Sequence, residues 1–161
     1  MNICKEVVRI LTDKNLTIST MESCTGGALS NYITNIEHCS NSFIGGYVTY
    51  SNEQKIRCGV PKEIIDEYTV YSIECAEAMA KACIRNTGSS IGVGVTGTLG
   101  DIDKNNNSSK IGEVFISIIY ENKDNSYKVE IPSEILQRSR KFQKKYLVRS
   151  ILNSIYSIII S

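Results

Sequence analysis

The sequence predicts an α/β sandwich built on a mixed β-sheet. Two observations support this fold class. Predicted helices and strands alternate through residues 3–96, and two further strands follow close together near the end. Alternation of the two element types is typical of parallel strands covered by helices, whereas strands joined by a short turn pair antiparallel. Because the chain has 161 residues, we expect one domain spanning residues 1–161.

The elements of the first half follow from local sequence patterns. Apolar residues at helical spacing predict a helix over 3–11, and alternating β-branched residues predict a strand over 16–21. A polar, glycine-rich turn then leads into a predicted helix over 28–33. Residues 43–50 are predicted to form a second strand, and a short helix is expected directly after it.

The second half contains clearer helix boundaries. Pro61 at a first helical position predicts a helix over 61–68. A longer helix is predicted over 72–86, since Ser72 can cap its start and Gly88 can end it. The remaining predictions are strands over 91–96, 111–120 and 127–131, a turn over 121–126, a mobile polar loop over 101–110, and one amphipathic helix from 134 to 161.

Composition excludes several classes of function. The formal net charge is only +1, which gives no reason to expect nucleic-acid or membrane-surface binding. No apolar run reaches the roughly 18 residues that span a bilayer, and the first residues do not form a signal peptide. We therefore expect a cytoplasmic protein.

Cysteine and histidine usage argues against a metal centre. The chain has six cysteines, none in a C-x-x-C pair, and His38 is its one histidine. Zinc sites need closely spaced ligands of these two types, so we expect reduced thiols, no metal and no cofactor. A Ser-His-Asp triad would have to use His38, which lies in a polar connection, and is not expected.

Two apparent motifs do not fit their structural context. Residues 92–97 match G-x-G-x-x-G, but they lie within a predicted strand instead of opening a helix. Residues 101–112 begin like a calcium loop but lack glycine at the sixth position and glutamate at the twelfth. Neither dinucleotide nor calcium binding is predicted.

Ser23 lies between a predicted strand and the glycine-rich start of a helix. Unpaired backbone N–H groups of Thr25, Gly26 and Gly27 would face the same volume as its hydroxyl. They could bind a phosphate or a carboxylate, or stabilise a developing oxyanion. The residues alone favour the alternative, an ordinary capping serine followed by glycines that allow tight packing.

Lys55 is the candidate base for such a serine. It follows a buried-looking strand and lies one helical turn after Ser51. A lysine in a partly desolvated pocket has a lowered pKa and can accept a proton. The alternative is a solvated surface lysine.

Several segments resemble signatures of the CinA C-terminal family. Residues 21–27, M-E-S-C-T-G-G, resemble its E-S-C-T-G-G signature, and residues 43–55 resemble its G-G-x-x-x-Y-S-N-x-x-K block. Residues 59–61, 70–72 and 94–97 resemble its G-V-P, V-S and V-T-G segments. These blocks occur in the family's order and cover nearly the whole chain.

The resemblance implies a three-layer α/β/α sandwich and nicotinamide-nucleotide amidase activity. Such enzymes hydrolyse the amide of nicotinamide mononucleotide to the acid and ammonia, a reaction of pyridine nucleotide salvage. By position, Ser23 would be the nucleophile and Lys55 its general base, with Tyr50 and Thr96 orienting the pair. The implied partners are a small-molecule nucleotide substrate and a second copy of the chain in a homodimer.

The resemblance also implies substrate-binding residues. Those near the nucleophile and on the neighbouring segments are Glu22, Thr25, Gly26, Gly27, Asn52 and Gly97. Relatives carry an F-x-G-[DE]-R-x-x-x-R block before the last helix, and here Arg140 and Lys144 stand at the spacing of its two arginines. Cationic side chains at these positions could bind a substrate phosphate.

Two alternatives stay open at this point. An Asn-rich loop over 98–110 replaces the family's proline-containing turn, which favours a non-catalytic domain that binds a nucleotide or a protein partner. Cys24, next to Ser23, is the other candidate nucleophile, because a thiolate is intrinsically more reactive than a hydroxyl.

Overall fold

A five-stranded mixed sheet forms the centre of the fold in the computed structural model, which describes residues 2–161. The strands are β1 (Ile18–Glu22), β2 (Phe43–Val48), β3 (Ile91–Gly97), β4 (Glu113–Tyr120) and β5 (Lys123–Glu130). Their order across the sheet is β2-β1-β3-β4-β5. The pairs β1–β2 and β1–β3 are parallel, and β3–β4 and β4–β5 are antiparallel. The predicted mixed sheet is confirmed.

Helices cover both faces of this sheet. They are α1 (Ile3–Asp13), α2 (Ala28–Thr34), α3 (Asn52–Arg57), α4 (Lys62–Tyr68), α5 (Ile73–Thr87), α6 (Ser133–Leu136) and α7 (Arg140–Ile160). The larger apolar core lies between the sheet and α1, α2 and α7. A smaller core lies under α4 and α5 on the opposite face. The three-layer α/β/α sandwich is therefore confirmed.

The glycines of β3 allow α5 to lie close against the sheet. A Cβ atom at Gly94 would overlap the carbonyl oxygen of Ala76, and one at Gly92 would lie 2.5 Å from that of Ala80. Real Cβ atoms never approach backbone so closely, so only glycine permits this packing. The G-x-G-x-x-G pattern of residues 92–97 thus serves contact between a helix and a strand.

Two elements near the C-terminus differ from the sequence prediction. The turn predicted over 121–126 is only two residues long, because Glu121 and Asn122 both adopt positive φ and let β5 begin at Lys123. The single helix predicted from 134 onward is two helices. Gln143 Nε2 donates to the carbonyl oxygens of Leu136 and Arg138, which stabilises the break between them.

None of the helices in residues 2–161 combines the length and the apolar character needed to cross a bilayer. All six cysteines are free thiols, and Cys4, Cys24, Cys75 and Cys83 are buried.

Candidate active site

Ser23 directly follows the last residue of β1, an interior strand that lies between β2 and β3. Its backbone N–H donates to the carbonyl oxygen of Val95 on β3 at 3.0 Å. The carbonyl oxygen of the preceding Glu22 accepts the N–H of Thr49, just beyond β2, at 2.8 Å. Both parallel neighbours therefore fix the backbone on either side of the serine. In open α/β sheets, ligands bind at such carboxyl ends, where the connections diverge to opposite sides of one strand.

Lys55 reaches Ser23 from the short helix α3. Ser51 caps this helix by accepting the N–H of Gln54 at 3.1 Å. The Lys55 side chain turns inward, and the residue is only 2% exposed. Its Nζ lies 3.3 Å from Ser23 Oγ and donates to the carbonyl oxygen of Thr49 at 2.9 Å. A buried amine thus contacts the hydroxyl of the predicted nucleophile.

Burial lowers the pKa of Lys55. Desolvation is the largest cause, since a charged ammonium loses its hydration inside the protein. Negative charge on Cys75, Cys24 or Asp103 would act in the opposite direction, and desolvation outweighs it. Among the described residues, no salt bridge involves Lys55. Burial therefore shifts Lys55 towards the neutral amine, whose lone pair can accept a proton.

The turn after Ser23 supplies free N–H groups, but not all of those that the sequence suggested. The N–H of Gly26 donates to the carbonyl oxygen of Ser23 at 2.9 Å, so the expectation that it is unpaired is wrong. The chain closes a tight turn here, with Gly26 at φ +59° and Gly27 at φ +91°. In the described chain, the N–H groups of Cys24, Thr25 and Gly27 make no hydrogen bond. They remain available to an oxyanion.

Glu22 holds the start of α2. Its carboxylate is fully buried and accepts the N–H of Leu29 at 2.8 Å and that of Ser30 at 3.0 Å. It also accepts the Ser30 hydroxyl at 2.7 Å. The first two bonds satisfy N–H groups that a helix cannot pair internally. The structure thus gives Glu22 a capping role, and its predicted role in substrate binding stays a prediction.

Glu22→Gln should lower the free energy of unfolding by about 1–3 kcal/mol. The amide has one acceptor oxygen where the carboxylate has two, so its NH₂ group would face a donor of Ser30. The midpoint of urea denaturation measures the effect. Glu53→Gln is the matched control, because Glu53 is exposed and pairs only with Arg57, so it should change stability by less than about 0.5 kcal/mol. Equal midpoints for both variants would contradict the capping role.

A cavity of about 710 Å³ opens above Ser23. Its walls come from the ends of β1 and β3, the start of α3, the loop after β3 and the start of α7. Tyr50 and Arg140 stand at its rim, where Arg140 Nη2 donates to the Tyr50 hydroxyl at 3.1 Å. Arg140 Nη1 also lies 3.4 Å from Asp101 Oδ2. A guanidinium thus reaches the same cavity as the serine.

The Asn-rich loop forms one wall of this cavity. Asn106 exchanges two hydrogen bonds with Asn52 of α3, at 2.9 and 3.2 Å. Asp103 accepts the hydroxyl of Tyr71 at 2.5 Å and the amide of Asn106 at 2.6 Å. The loop has no helix or strand of its own, and these contacts hold it against the site.

The other predicted site residues lie at varying distances from the pair. Gly97 lines the cavity. The Thr96 hydroxyl is buried and donates to the carbonyl oxygen of Val70 at 2.7 Å. The Thr25 hydroxyl is buried without a partner in the described residues. Neither Tyr50 nor Thr96 hydrogen-bonds to Ser23 or Lys55, and their orienting role stays a prediction.

Lys144 lies in a neighbouring cavity of about 500 Å³ between α2 and α7. Arg140 lines both cavities, whereas Lys144 lines only this second one. Lys144 Nζ packs beside the backbone of Gly26, since a Cβ atom there would lie 3.0 Å from it. The structure therefore brings Arg140, but not Lys144, into the cavity of Ser23.

Sequence reasoning missed three residues that line the main cavity with Ser23: Tyr71, Asp103 and Asn106. The loop length was the available signal. Loops longer than about 12–15 residues are uncommon in small domains and are usually functional or disordered. The polarity of the stretch from 98 to 112 predicts only a mobile loop, and its length is the stronger sign of a functional role.

These features define an α/β domain with a serine at a strand end and a buried lysine beside it. The sequence model of the CinA C-terminal domain matches residues 1–157, so the chain belongs to the CinA C-terminal domain family. The match covers all the elements that build the site.

Curated relatives share part of this chain. A protein of Clostridium perfringens, provisionally named competence-damage inducible protein, is 46% identical over 98 residues, which are 60% of this chain and 24% of that protein. A relative from Clostridium acetobutylicum with the same provisional name is 39% identical over 126 residues, or 78% of this chain and 30% of that protein. The matches thus span about a quarter of the length of these relatives.

Solved structures share the fold. A CinA superfamily protein from Klebsiella pneumoniae superimposes with a TM-score of 0.88 at 18% identity, covering 98% of this chain and 96% of that one. The protein CihA from Agrobacterium tumefaciens gives a TM-score of 0.86 at 22% identity, covering 99% and 94%.

Proposed function

We propose that this protein hydrolyses the amide of nicotinamide mononucleotide to nicotinate mononucleotide and ammonia. One observation carries the proposal: the buried Nζ of Lys55 lies 3.3 Å from Ser23 Oγ at the floor of a cavity large enough for a small ligand. Membership of the CinA C-terminal domain family is consistent with a hydrolase.

The first half of the reaction transfers the acyl group to the serine. Ser23 Oγ attacks the amide carbon while the neutral Lys55 amine takes the hydroxyl proton. The carbonyl oxygen becomes an oxyanion, and the free N–H groups of Cys24 and Thr25 are the donors nearest in sequence. The resulting ammonium then gives its proton to the leaving nitrogen. Ammonia departs, and an ester with Ser23 remains.

The second half returns the enzyme to its starting state. Lys55 takes a proton from a water molecule, whose oxygen attacks the ester carbon. The tetrahedral intermediate collapses, Ser23 Oγ recovers a proton from Lys55, and the carboxylic acid product leaves and ionises. The hydrogen bond from Lys55 Nζ to the carbonyl oxygen of Thr49 keeps the amine in place through both halves.

Burial supports Ser23 over Cys24 as nucleophile. Desolvation raises the pKa of the Cys24 thiol to about 12, although positive charge on Lys55 and Arg140 would lower it. A cysteine reacts as its thiolate, which is scarce at such a pKa. Serine needs only a base in contact, and Lys55 is that base.

Ammonia release from nicotinamide mononucleotide by the purified protein is the direct test. We expect turnover that Ser23→Ala removes. Failure of the wild-type protein to release ammonia, with the mononucleotide present well above millimolar concentration, would contradict the proposed function and favour a non-catalytic binding domain.

Arg140→Ala should raise KM for the mononucleotide about 10- to 150-fold with little change in kcat. A charge-assisted bond to the substrate phosphate contributes about 1.5–3 kcal/mol, and it forms equally in the bound substrate and the transition state. Steady-state kinetics with the mononucleotide and with the riboside, which lacks the phosphate, measure the effect.

The riboside and a second variant serve as controls for Arg140. The variant should handle the riboside about as well as the wild type does, because no phosphate is lost. Arg149→Ala removes an exposed arginine further along α7 and should leave both KM values unchanged. An equal loss with both substrates would contradict phosphate binding by Arg140.

A further inference from the structure

Asp103 is a carboxylate held in fixed position on the wall of the main cavity. Its Oδ2 accepts the Tyr71 hydroxyl at 2.5 Å and the Asn106 amide at 2.6 Å, and its Oδ1 accepts the N–H of Asn105 at 2.9 Å. Three donors from two separate segments therefore orient one side chain, which is partly buried. Such pre-organisation is a property of binding groups more than of solvated loop residues.

The loop that carries Asp103 is tied to the helix that carries the candidate base. Asn106, which bonds to Asp103, also pairs through two hydrogen bonds with Asn52 in the first turn of α3. Lys55 lies one turn further along the same helix. The position of the Asp103 carboxylate is thus coupled to that of the Ser23–Lys55 pair.

The surroundings of Asp103 favour its charged, carboxylate form. Partial desolvation acts to raise the pKa of this carboxyl group, but hydrogen bonds from Tyr71, Asn106 and the N–H of Asn105, with the charge of Lys55, outweigh it and lower the pKa. No salt bridge of the described chain includes Asp103. The cavity wall therefore presents a carboxylate that has no ion-pair partner among the described residues.

The chemistry of the proposed substrate supplies that counter-charge. In nicotinamide mononucleotide the ring nitrogen is bonded to the sugar, so the ring is a cation. This nitrogen is only three bonds from the amide carbon that Ser23 would attack. The positive charge would therefore lie in the cavity that Ser23 lines, where Tyr71 also offers an aromatic ring.

We propose that Asp103, held by Tyr71 and Asn106, recognises a positively charged aromatic ring beside the scissile amide, so that the site selects N-substituted pyridinium amides over neutral aromatic amides. The inference rests on the proposed function for the position of the amide at Ser23. A cation there can pair with the carboxylate of Asp103, whereas a neutral ring leaves the carboxylate without an ion-pair partner.

The test uses two probes that differ in ring charge: 1-methylnicotinamide, a cation without sugar or phosphate, and nicotinamide, which is neutral. Isothermal titration calorimetry gives Kd for both with the wild-type protein. We expect the cation to bind about tenfold more tightly, the effect of one partly screened opposite charge at close range. Asp103→Asn should abolish this preference, because the amide oxygen can still accept from Tyr71 while the charge is gone.

Two control variants separate charge from structure. Tyr71→Phe removes one hydrogen bond but leaves the carboxylate, and should retain most of the preference. Asp124→Asn removes an equal charge at the opposite edge of the sheet, where Asp124 pairs with Lys81 at 3.0 Å, and should change neither Kd. A preference that survives in Asp103→Asn, or equal wild-type affinity for the two probes, would overturn the inference.

Hydrolysis assays on the same variants keep the two proposals apart. If the wild-type protein releases ammonia from the mononucleotide but Asp103→Asn keeps the charge preference, the recognition role fails and the proposed function stands. If the cation preference depends on Asp103 and no ammonia is released, the proposed function fails and the recognition role stands.

Discussion

Ser23→Ala is expected to reduce ammonia release from nicotinamide mononucleotide at least about a thousandfold, because no other group can form the acyl intermediate. The residue is 7% exposed and, among the described residues, its hydroxyl hydrogen-bonds only with the Lys55 amine, so its removal should leave the fold intact. Initial-rate measurements give the loss, and a thermal melt checks that the variant is folded.

Cys24→Ala is the matched control for this variant. It removes the neighbouring nucleophilic atom, and the thiol it removes is buried and protonated. We expect its rate to stay within a few-fold of the wild-type rate. A Ser23→Ala protein with near-normal turnover, or a Cys24→Ala protein with none, would reverse the assignment of the nucleophile.

Lys55→Met should remove activity to a similar extent, since methionine fills much of the same space but cannot accept the serine proton. The wild-type rate should rise with pH through the lowered pKa of Lys55, which lies below the 10.5 of a free lysine. The base is present only after the ammonium loses its proton. Initial rates between about pH 6 and pH 9 record this rise.

In the Lys55→Met variant, stability should change in the opposite direction from activity. Between the lowered pKa of folded Lys55 and 10.5, the unfolded chain binds more protons than the folded one, so wild-type stability rises with pH. Lys55→Met should lose that slope and gain stability relative to the wild type as the pH falls. Lys62→Met, which removes an exposed lysine paired with Asp66, should change neither rate nor slope. An active Lys55→Met enzyme with a flat wild-type profile would contradict the general-base role.

The sequence was sufficient to predict the elements that surround the nucleophile. Alternation of β-branched residues and the glycine-rich turn correctly placed β1 and α2 on either side of Ser23. Burial of Lys55 could not be predicted in this way, because it lies in the polar segment Asn52–Arg57 and its environment comes from other elements. The local pattern made Lys55 a candidate base with a solvated surface lysine as the alternative, and the family resemblance then favoured the base.

The loop after β3 shows where local reasoning fails. Asparagine and aspartate in a row predict a solvated loop, and nothing nearby in sequence indicates a partner. The partners are Asn52 and Tyr71, which lie on other elements and come close only once the sheet has formed. The break between α6 and α7 has a similar origin, because the Gln143 side chain replaces backbone bonds that a continuous helix would make.

The position of β1 between β2 and β3 has a consequence for the order of folding. Its partner β2 follows it closely in the chain, whereas β3 is reached only after α3, α4 and α5. Contacts between segments that are distant in sequence have a larger entropic cost of loop closure and form more slowly. Ser23 and Lys55 both belong to the early segment, but the bond from Ser23 to Val95 and the wall from Asp103 belong to the late one. A chain that has folded only its first sixty or so residues therefore contains both reactive groups but lacks the cavity that would bind a substrate. Activity requires the later, long-range pairing of β3 with β1.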